Sequence, residues 1–155
     1  MAPGIVVRQG CPEDSQALIP LRAALWPDCS LEEHQHEVEG QLSGAGPYPF
    51  PTALFVAVTE AGNLVGFLEA DLRSHADGCD ATCPVGYIEG WFVAEAYRRQ
   101  GVGGMLIAAA EQWARDLGCL EMASDTWLDN EGSIQAHLAL GFEEMGRVVN
   151  FRKKL

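Results

Sequence analysis

Arg98-Arg99-Gln100-Gly101-Val102-Gly103-Gly104 stands between an apolar run, Tyr87 to Val93, and an amphipathic stretch that begins near Val102. A strand, a glycine-rich turn and a helix are predicted in that order. Glycines at 101, 103 and 104 let backbone N–H groups approach an anion closely, and the helix start adds unpaired donors and the positive end of its dipole. The expected occupant is a phosphate-bearing cofactor.

Beyond the turn, Val102, Leu106, Ala109, Ala110, Trp113 and Leu117 recur at spacings of three and four and end at Gly118, a helix with a glycine cap. Leu120 to Ala123 is a short strand, expected parallel to the one before the turn through a right-handed crossover. Ile134 to Leu140 reads as a last helix and Phe142 to Arg152 as the final strands. Ahead of the turn, Val85 to Val93 is a long strand interrupted by Gly90, and a glycine there marks a bulge or a close backbone approach. Ala53 to Thr59 and Leu64 to Leu72, separated by Glu60-Ala61-Gly62-Asn63, form a hairpin. Gly46 to Pro51 and Ser74 to Pro84 are loops. Ile5 to Arg8 is the first strand. Pro12, Glu13 and Asp14 start a helix with Leu18, Leu21 and Leu25 on one face, stopped by Pro27. Ser30 and Glu33 have capping-box spacing, and the helix they open carries Leu31, Val38 and Leu42 to Ser43 and Gly44.

The 155 residues, 48% hydrophobic, suit one domain spanning the chain, 1–155. Five cysteines are an odd number and the first residues lack a basic segment followed by an apolar one, so a reducing, cytoplasmic location is expected. No apolar run approaches the roughly 18 residues of a membrane span. A net charge of -12 with ten Lys and Arg argues against nucleic acid and favours a cationic partner. No metal is expected: His34 and His36 are two apart on a helix, and His75, Cys79 and Cys83 lack a fourth partner nearby.

The turn is not a nucleotide-hydrolysing loop, because Gly103-Gly104 is followed by Met105 rather than by Lys and a hydroxyl. Nor is it a good dinucleotide fingerprint, since position 106 is Leu instead of the third glycine. It does match Arg/Gln-x-x-Gly-x-Gly/Ala, through Arg98, Gly101 and Gly103, with a bulged strand before it and Leu140-Gly141-Phe142 far behind. In this, and in its order of elements, the chain resembles the GNAT acetyltransferase superfamily. Leu21-Arg22-Ala23-Ala24-Leu25-Trp26-Pro27, Ile88-Glu89-Gly90, Ala123-Ser124-Asp125-Thr126, Ala139 to Phe142 and the ending around Arg147 to Lys153 are similar to the aminoglycoside 6'-N-acetyltransferases. Trp91, Phe92, Trp127 and the Cys- and Asp-bearing loop at 74–84 depart from that pattern.

The resemblance implies an α/β (α+β) fold, a mixed, centrally splayed sheet flanked by helices. It implies acetyl-CoA as cosubstrate, held by Arg98, Arg99, Gln100, Gly101, Val102, Gly103 and Gly104, a cationic aminoglycoside as substrate, and a homodimer to which the C-terminal strands contribute. Direct transfer from a thioester to an amine needs a neutral nitrogen, aligned reactants, donors for the oxyanion and a proton for the thiolate. Strands that splay after a bulge open a slot between Gly90–Val93 and Leu120–Asp125. Partly by the same resemblance, the backbone N–H groups of Phe92 and Val93 are the expected oxyanion and pantetheine donors, and Asn130 and Ser133 resemble positions that hydrogen-bond the pantetheine arm.

Glu89, a carboxylate in an apolar strand beside Gly90, is the first candidate to take the ammonium proton, directly or through water. The alternative is a solvated strand face, which Tyr87, Glu89 and Trp91 would share. Asp125 is the second carboxylate, a partner for substrate amines, a second base or a turn cap. His137 stands where superfamily members carry a tyrosine acid, and both an acid and a CoA contact fit it. Trp26, Glu69 and Asp71 complete the expected pocket, Glu69 and Asp71 sharing a strand face. Other substrates that fit are a polyamine or a protein N-terminal amine, and from another class stands a non-catalytic acyl-CoA sensor.

Overall fold

Strand alternation sorts apolar side chains onto two helical layers. In the computed structural model, which describes residues 4–44 and 49–155, β1 (Ile5–Gln9), β2 (Thr52–Thr59), β3 (Leu64–Arg73) and β4 (Val85–Val93) pair antiparallel in that order. The last strand, β5 (Met122–Ser124), lies parallel to β4. Of the loop expected at Gly46 to Pro51, residues 46–48 lie outside the described residues. Leu54, Val56 and Phe67 face α1 (Ser15–Leu25) and α2 (Leu31–Ser43), packing on Leu18 and Val38. Their neighbours Ala53, Phe55, Ala57 and Leu68 face α3 (Val102–Asp116), packing on Leu106, Ile107 and Ala110. The final helix is α4 (Glu131–Ala139).

Local chemistry explains the boundaries. Ser30 and Glu33 close the expected capping box (Glu33 N–H to Ser30 Oγ, 3.1 Å; Ser30 N–H to Glu33 Oε2, 2.7 Å). Buried His34 donates from Nε2 to the Trp26 carbonyl (3.1 Å), tying α2 to the end of α1. Arg8 grips Asp14 with both terminal nitrogens (2.7 and 2.9 Å), and together with the Cys11 N–H it holds that carboxyl down to about 2, anchoring β1 to the start of α1.

Two expectations need correction. β5 starts at Met122, because Leu120 is turned to solvent and only the Glu121 carbonyl reaches back, to the Gly86 N–H at 3.1 Å. Phe142 to Arg152 forms no strand. A strand needs a ladder partner for its peptide groups, and the chain offers this segment none. Val149 and Phe151 are 76% and 92% exposed.

The bulge expected at Gly90 is present. Glu69 pairs with Gly90 and Ala70 with Ile88, so Glu89 is the extra residue of β4. A Cβ on Gly90 would lie 2.7 Å from Trp26 Cζ2, and Leu25 sits behind. Gly90→Ala should therefore lower stability by about 1–3 kcal/mol, the usual cost of overpacking, measured as a fall in the urea midpoint without a change in slope.

Candidate active site

The extra residue at Glu89 reverses the alternation of everything after it. Phe92 packs on Phe67 and Gly90 on Trp26, on the α1 side, while Trp91 joins the α3 side. Tyr87 and Trp91, two positions either side of the bulge, therefore lie on opposite faces instead of sharing one as the uninterrupted pattern suggested. Beyond the Ile88–Ser124 pair, β4 and β5 make no further ladder contact.

Ala94 donates to the Val65 carbonyl (2.8 Å). The two-residue alternation of an antiparallel ladder turns the Phe92 peptide toward β3 as well, and the Phe92 carbonyl lies over Gly66 of that strand. Of the two expected donors only Val93 thus faces the open side, joined by Trp91, which sequence reasoning passed over.

At the mouth of this slot, on the α1 side, five side chains converge. Arg73 forms an ion pair with Glu89, lies with Nε 3.9 Å from Asp71 Oδ1, and stacks its guanidinium over Tyr87, 3.4 Å from the ring centroid. Tyr87 donates to Asp125 Oδ2 (2.9 Å). Burial, and the Glu89 carboxylate beside it, push Asp71 up to about 7. Burial and the bond to Asp125 push the Tyr87 phenol up as well. Glu89, 37% exposed at its side chain, remains open to a ligand.

Glu69 does not join them. It is 4% exposed and ion-paired with Arg22, which lies over the Trp26 ring at 4.7 Å. It supports the wall formed by Trp26 and is no part of a solvent-facing acidic pair. Arg73 was missed although a signal existed: positions 69, 71 and 73 share strand parity, and the reading stopped at 71.

The cradle fits an anion. Arg99 (φ 59°) and Gly101 (φ 84°) turn the chain through the left-handed region into α3, whose first intrahelical bond runs from Met105 to Gly101 (3.0 Å). No acidic residue sits in the first turn of α3. Val102, Gly103 and Gly104 therefore present N–H groups at the positive end of the helix. Gly103 has a second reason to be glycine, since a Cβ there would meet Trp91 Cζ2 at 2.9 Å. The Trp91 Nε1 is buried and hydrogen-bonded to nothing among the described residues, a donor left over for an acceptor lying along the cradle. Arg98 and Gln100 fold back onto the carbonyls of Val93 (2.8 Å) and Ala96 (2.9 Å), shaping the turn.

His137 and Asn130 both hold α4 in place. The Nδ1 of His137 lies 2.7 Å from the Ser133 carbonyl, so it carries the proton. In the neutral ring Nε2 then accepts from the Ser124 hydroxyl at 2.9 Å. Trp91 and Phe142 meet the ring edge-to-face, both at 5.2 Å. Such a ring joins α4 to β5. The Asn130 Oδ1 accepts from the Ser133 N–H (3.1 Å) and caps α4. Among the described residues no group of three or more His, Cys, Asp and Glu is placed to hold a metal ion, and no helix is long and apolar enough to cross a membrane.

A bulged, splayed strand leading into an anion cradle is matched by comparison with known proteins, where the Acetyltransferase (GNAT) family profile covers residues 16–142. The chain belongs to the GNAT family. It is 46% identical over 142 residues to an aminoglycoside N(6')-acetyltransferase type 1 of Klebsiella aerogenes, covering 92% of this chain and 91% of that one. A protein of the same name from Stenotrophomonas maltophilia is 40% identical over 150 residues, covering 96% and 93%. Among solved structures, AAC(6')-Iy with the bisubstrate analog CoA-S-monomethyl-acetylneamine has a TM-score of 0.87 at 37% identity, covering 97% of this chain and 99% of that one. The same enzyme with CoA has a TM-score of 0.88 at 36% identity over the whole of both chains. Among the described residues the chain has the mixed sheet flanked by four α-helices that the resemblance implied.

The position of Asp71 has a measurable consequence. The folded state holds its proton more tightly than the unfolded state, so between about 4 and about 7 Asp71 removes stability as pH rises. Asp71→Asn lacks that titration. In urea unfolding at several pH values, the variant should gain on the wild type from pH 4 to pH 7 and hold a constant margin above.

Proposed function

We propose that the chain transfers the acetyl group of acetyl-CoA directly to the 6'-amino group of aminoglycosides, inactivating them as antibiotics. The observation that carries this reading is the carboxylate cluster of Glu89, Asp71 and Asp125 at the end of the slot beside an intact anion cradle, in a chain 46% identical to an enzyme of that name. A polycationic amine needs such a cluster, and a net charge of -12 draws it in.

Residues 98–104 hold the pyrophosphate of acetyl-CoA, with the first-turn N–H groups of α3 as donors; bound there, it supplies an activated acetyl thioester. Glu89 takes the proton from the substrate ammonium and leaves a neutral nucleophile. Asp125, oriented by Tyr87, holds a second amine, and Trp26 walls the pocket. The backbone N–H groups of Val93 and Trp91 face the side where the carbonyl oxygen gains charge. A thiol of pKa about 8.5 leaves readily as thiolate and takes up, through solvent, the second proton that the nitrogen sheds as the amide forms, so His137 serves by fixing α4 and Ser124 and the reaction needs no dedicated acid.

The chain works as a cytoplasmic homodimer in this reading. Residues 142–155 carry Val148, Val149 and Phe151 into solvent without a ladder partner, and a second copy provides one. Light scattering after gel filtration should give twice the chain mass. A chain ending at Gly141 that kept this mass would remove the tail from the contact.

The enzyme assay is thiol release from acetyl-CoA. Kanamycin-type drugs with a 6' amine should turn over, and analogues with hydroxyl there should not. Release with spermidine alone would replace the substrate. Glu89→Gln should lower kcat/KM by roughly 100-fold or more with little change in CoA affinity.

A further inference from the structure

Arg73 is a cation at the centre of a site built to receive cations. In a chain with ten Lys and Arg against 22 Asp and Glu, a positive charge amid three carboxylates weakens the attraction for an amine unless it has a use there. Its setting indicates one. The side chain is 41% exposed, held at its tip by Glu89, at Nε by a long approach to Asp71 and along its plane by Tyr87. The first two are interactions that a substrate ammonium would make, and a half-exposed ion pair is cheap to exchange. Buried Arg22, by contrast, is 6% exposed at its side chain and committed to Glu69 on the other side of Trp26.

We propose that Arg73 stands in for the substrate ammonium: its guanidinium occupies Glu89 and Asp71 in the free protein and yields them to the incoming amine. This rests on the aminoglycoside reading and adds a specificity element to it. An amine with one positive charge must break the Arg73–Glu89 pair and gains one pair in return. A polycation gains that pair and a second at Asp71 or Asp125, so Arg73 sets a charge threshold that favours polyamines over single amines. While the site is empty the guanidinium also holds the Glu89 carboxylate at the bulge and keeps it from adventitious cations.

The test compares an aminoglycoside with a sugar bearing a single amine, in the wild type, Arg73→Gln and Arg73→Lys. Arg73→Gln should lower KM for the single amine by roughly fivefold, the scale of one partly exposed ion pair, and change KM for the aminoglycoside far less, with the effect on KM exceeding that on kcat. Arg73→Lys should keep the wild-type preference. An unchanged ratio of the two KM values in Arg73→Gln, or an Arg73→Lys that behaves like it, overturns the proposal. A readout independent of turnover and of the glutamine variant's folding is the side-chain 15N resonance of Arg73, assigned by its absence in Arg73→Lys. Kanamycin added without acetyl-CoA should shift it, and an unmoved resonance at saturation overturns the exchange. Wild-type turnover of kanamycin with an unmoved resonance refutes this inference alone, whereas no turnover at all refutes the substrate reading and this inference with it.

Discussion

The bulge at Glu89 sets two requirements on one strand. Before it, β4 must pair with both β3 and β5. After it, β4 stays on β3 and leaves β5, because the extra residue increases the local twist and changes which face each later side chain meets. Three consequences follow from that insertion. The Glu89 carboxylate has no ladder position to fill and points to solvent. Gly90 is left where Trp26 closes over the strand, so no side chain fits. The peptides of Trp91 and Val93 face a side that β5 has vacated. In the reading proposed above, the base, the wall and the pair of donors all come from one inserted residue.

That arrangement needs a footing on the α1 side, and the buried Arg22–Glu69 pair provides it. Glu69 lies opposite Gly90 in the register, and Arg22 reaches down from α1 beneath Trp26. A buried ion pair is a poor source of stability, since desolvation offsets most of the attraction. Its use here is positional. Arg22 stacks over the indole, and His34 of α2 holds the Trp26 backbone carbonyl, so the residue that carries the ring is tied to both helices. The acidic cluster on the open side then faces a wall that does not move when its own charge changes.

Much of the fold was legible because local chemistry and pattern agreed. The turn at Gly101, the capping box at Ser30, the hairpin at 60–63 and the bulge at Gly90 are all short-range features that demand particular residues. What escaped reading depends on partners remote in sequence. Glu69 reads as half of an acidic pair with Asp71 until Arg22, 47 positions away, claims it. For His137 both an acid and a CoA contact fit the sequence, and its bonds to Ser133 and Ser124 become visible only in the fold. Treating Tyr87, Glu89 and Trp91 as one face followed the period of two through a residue already identified as interrupting it. Arg73 was overlooked because arginine is not a residue expected in a pocket for cations, yet its parity with Glu69 and Asp71 placed it there.

The ending of the chain shows why a correct pattern can lack a structure. Val148, Val149 and Phe151 have the composition of a strand, and a strand is defined by what it pairs with. Within one chain, β5 is only three residues long, so its outer edge gives the tail little to pair with. A free edge on one side and an unpaired apolar segment on the other are liabilities that proteins commonly cover. In the dimeric reading proposed above, a second copy of the chain satisfies both.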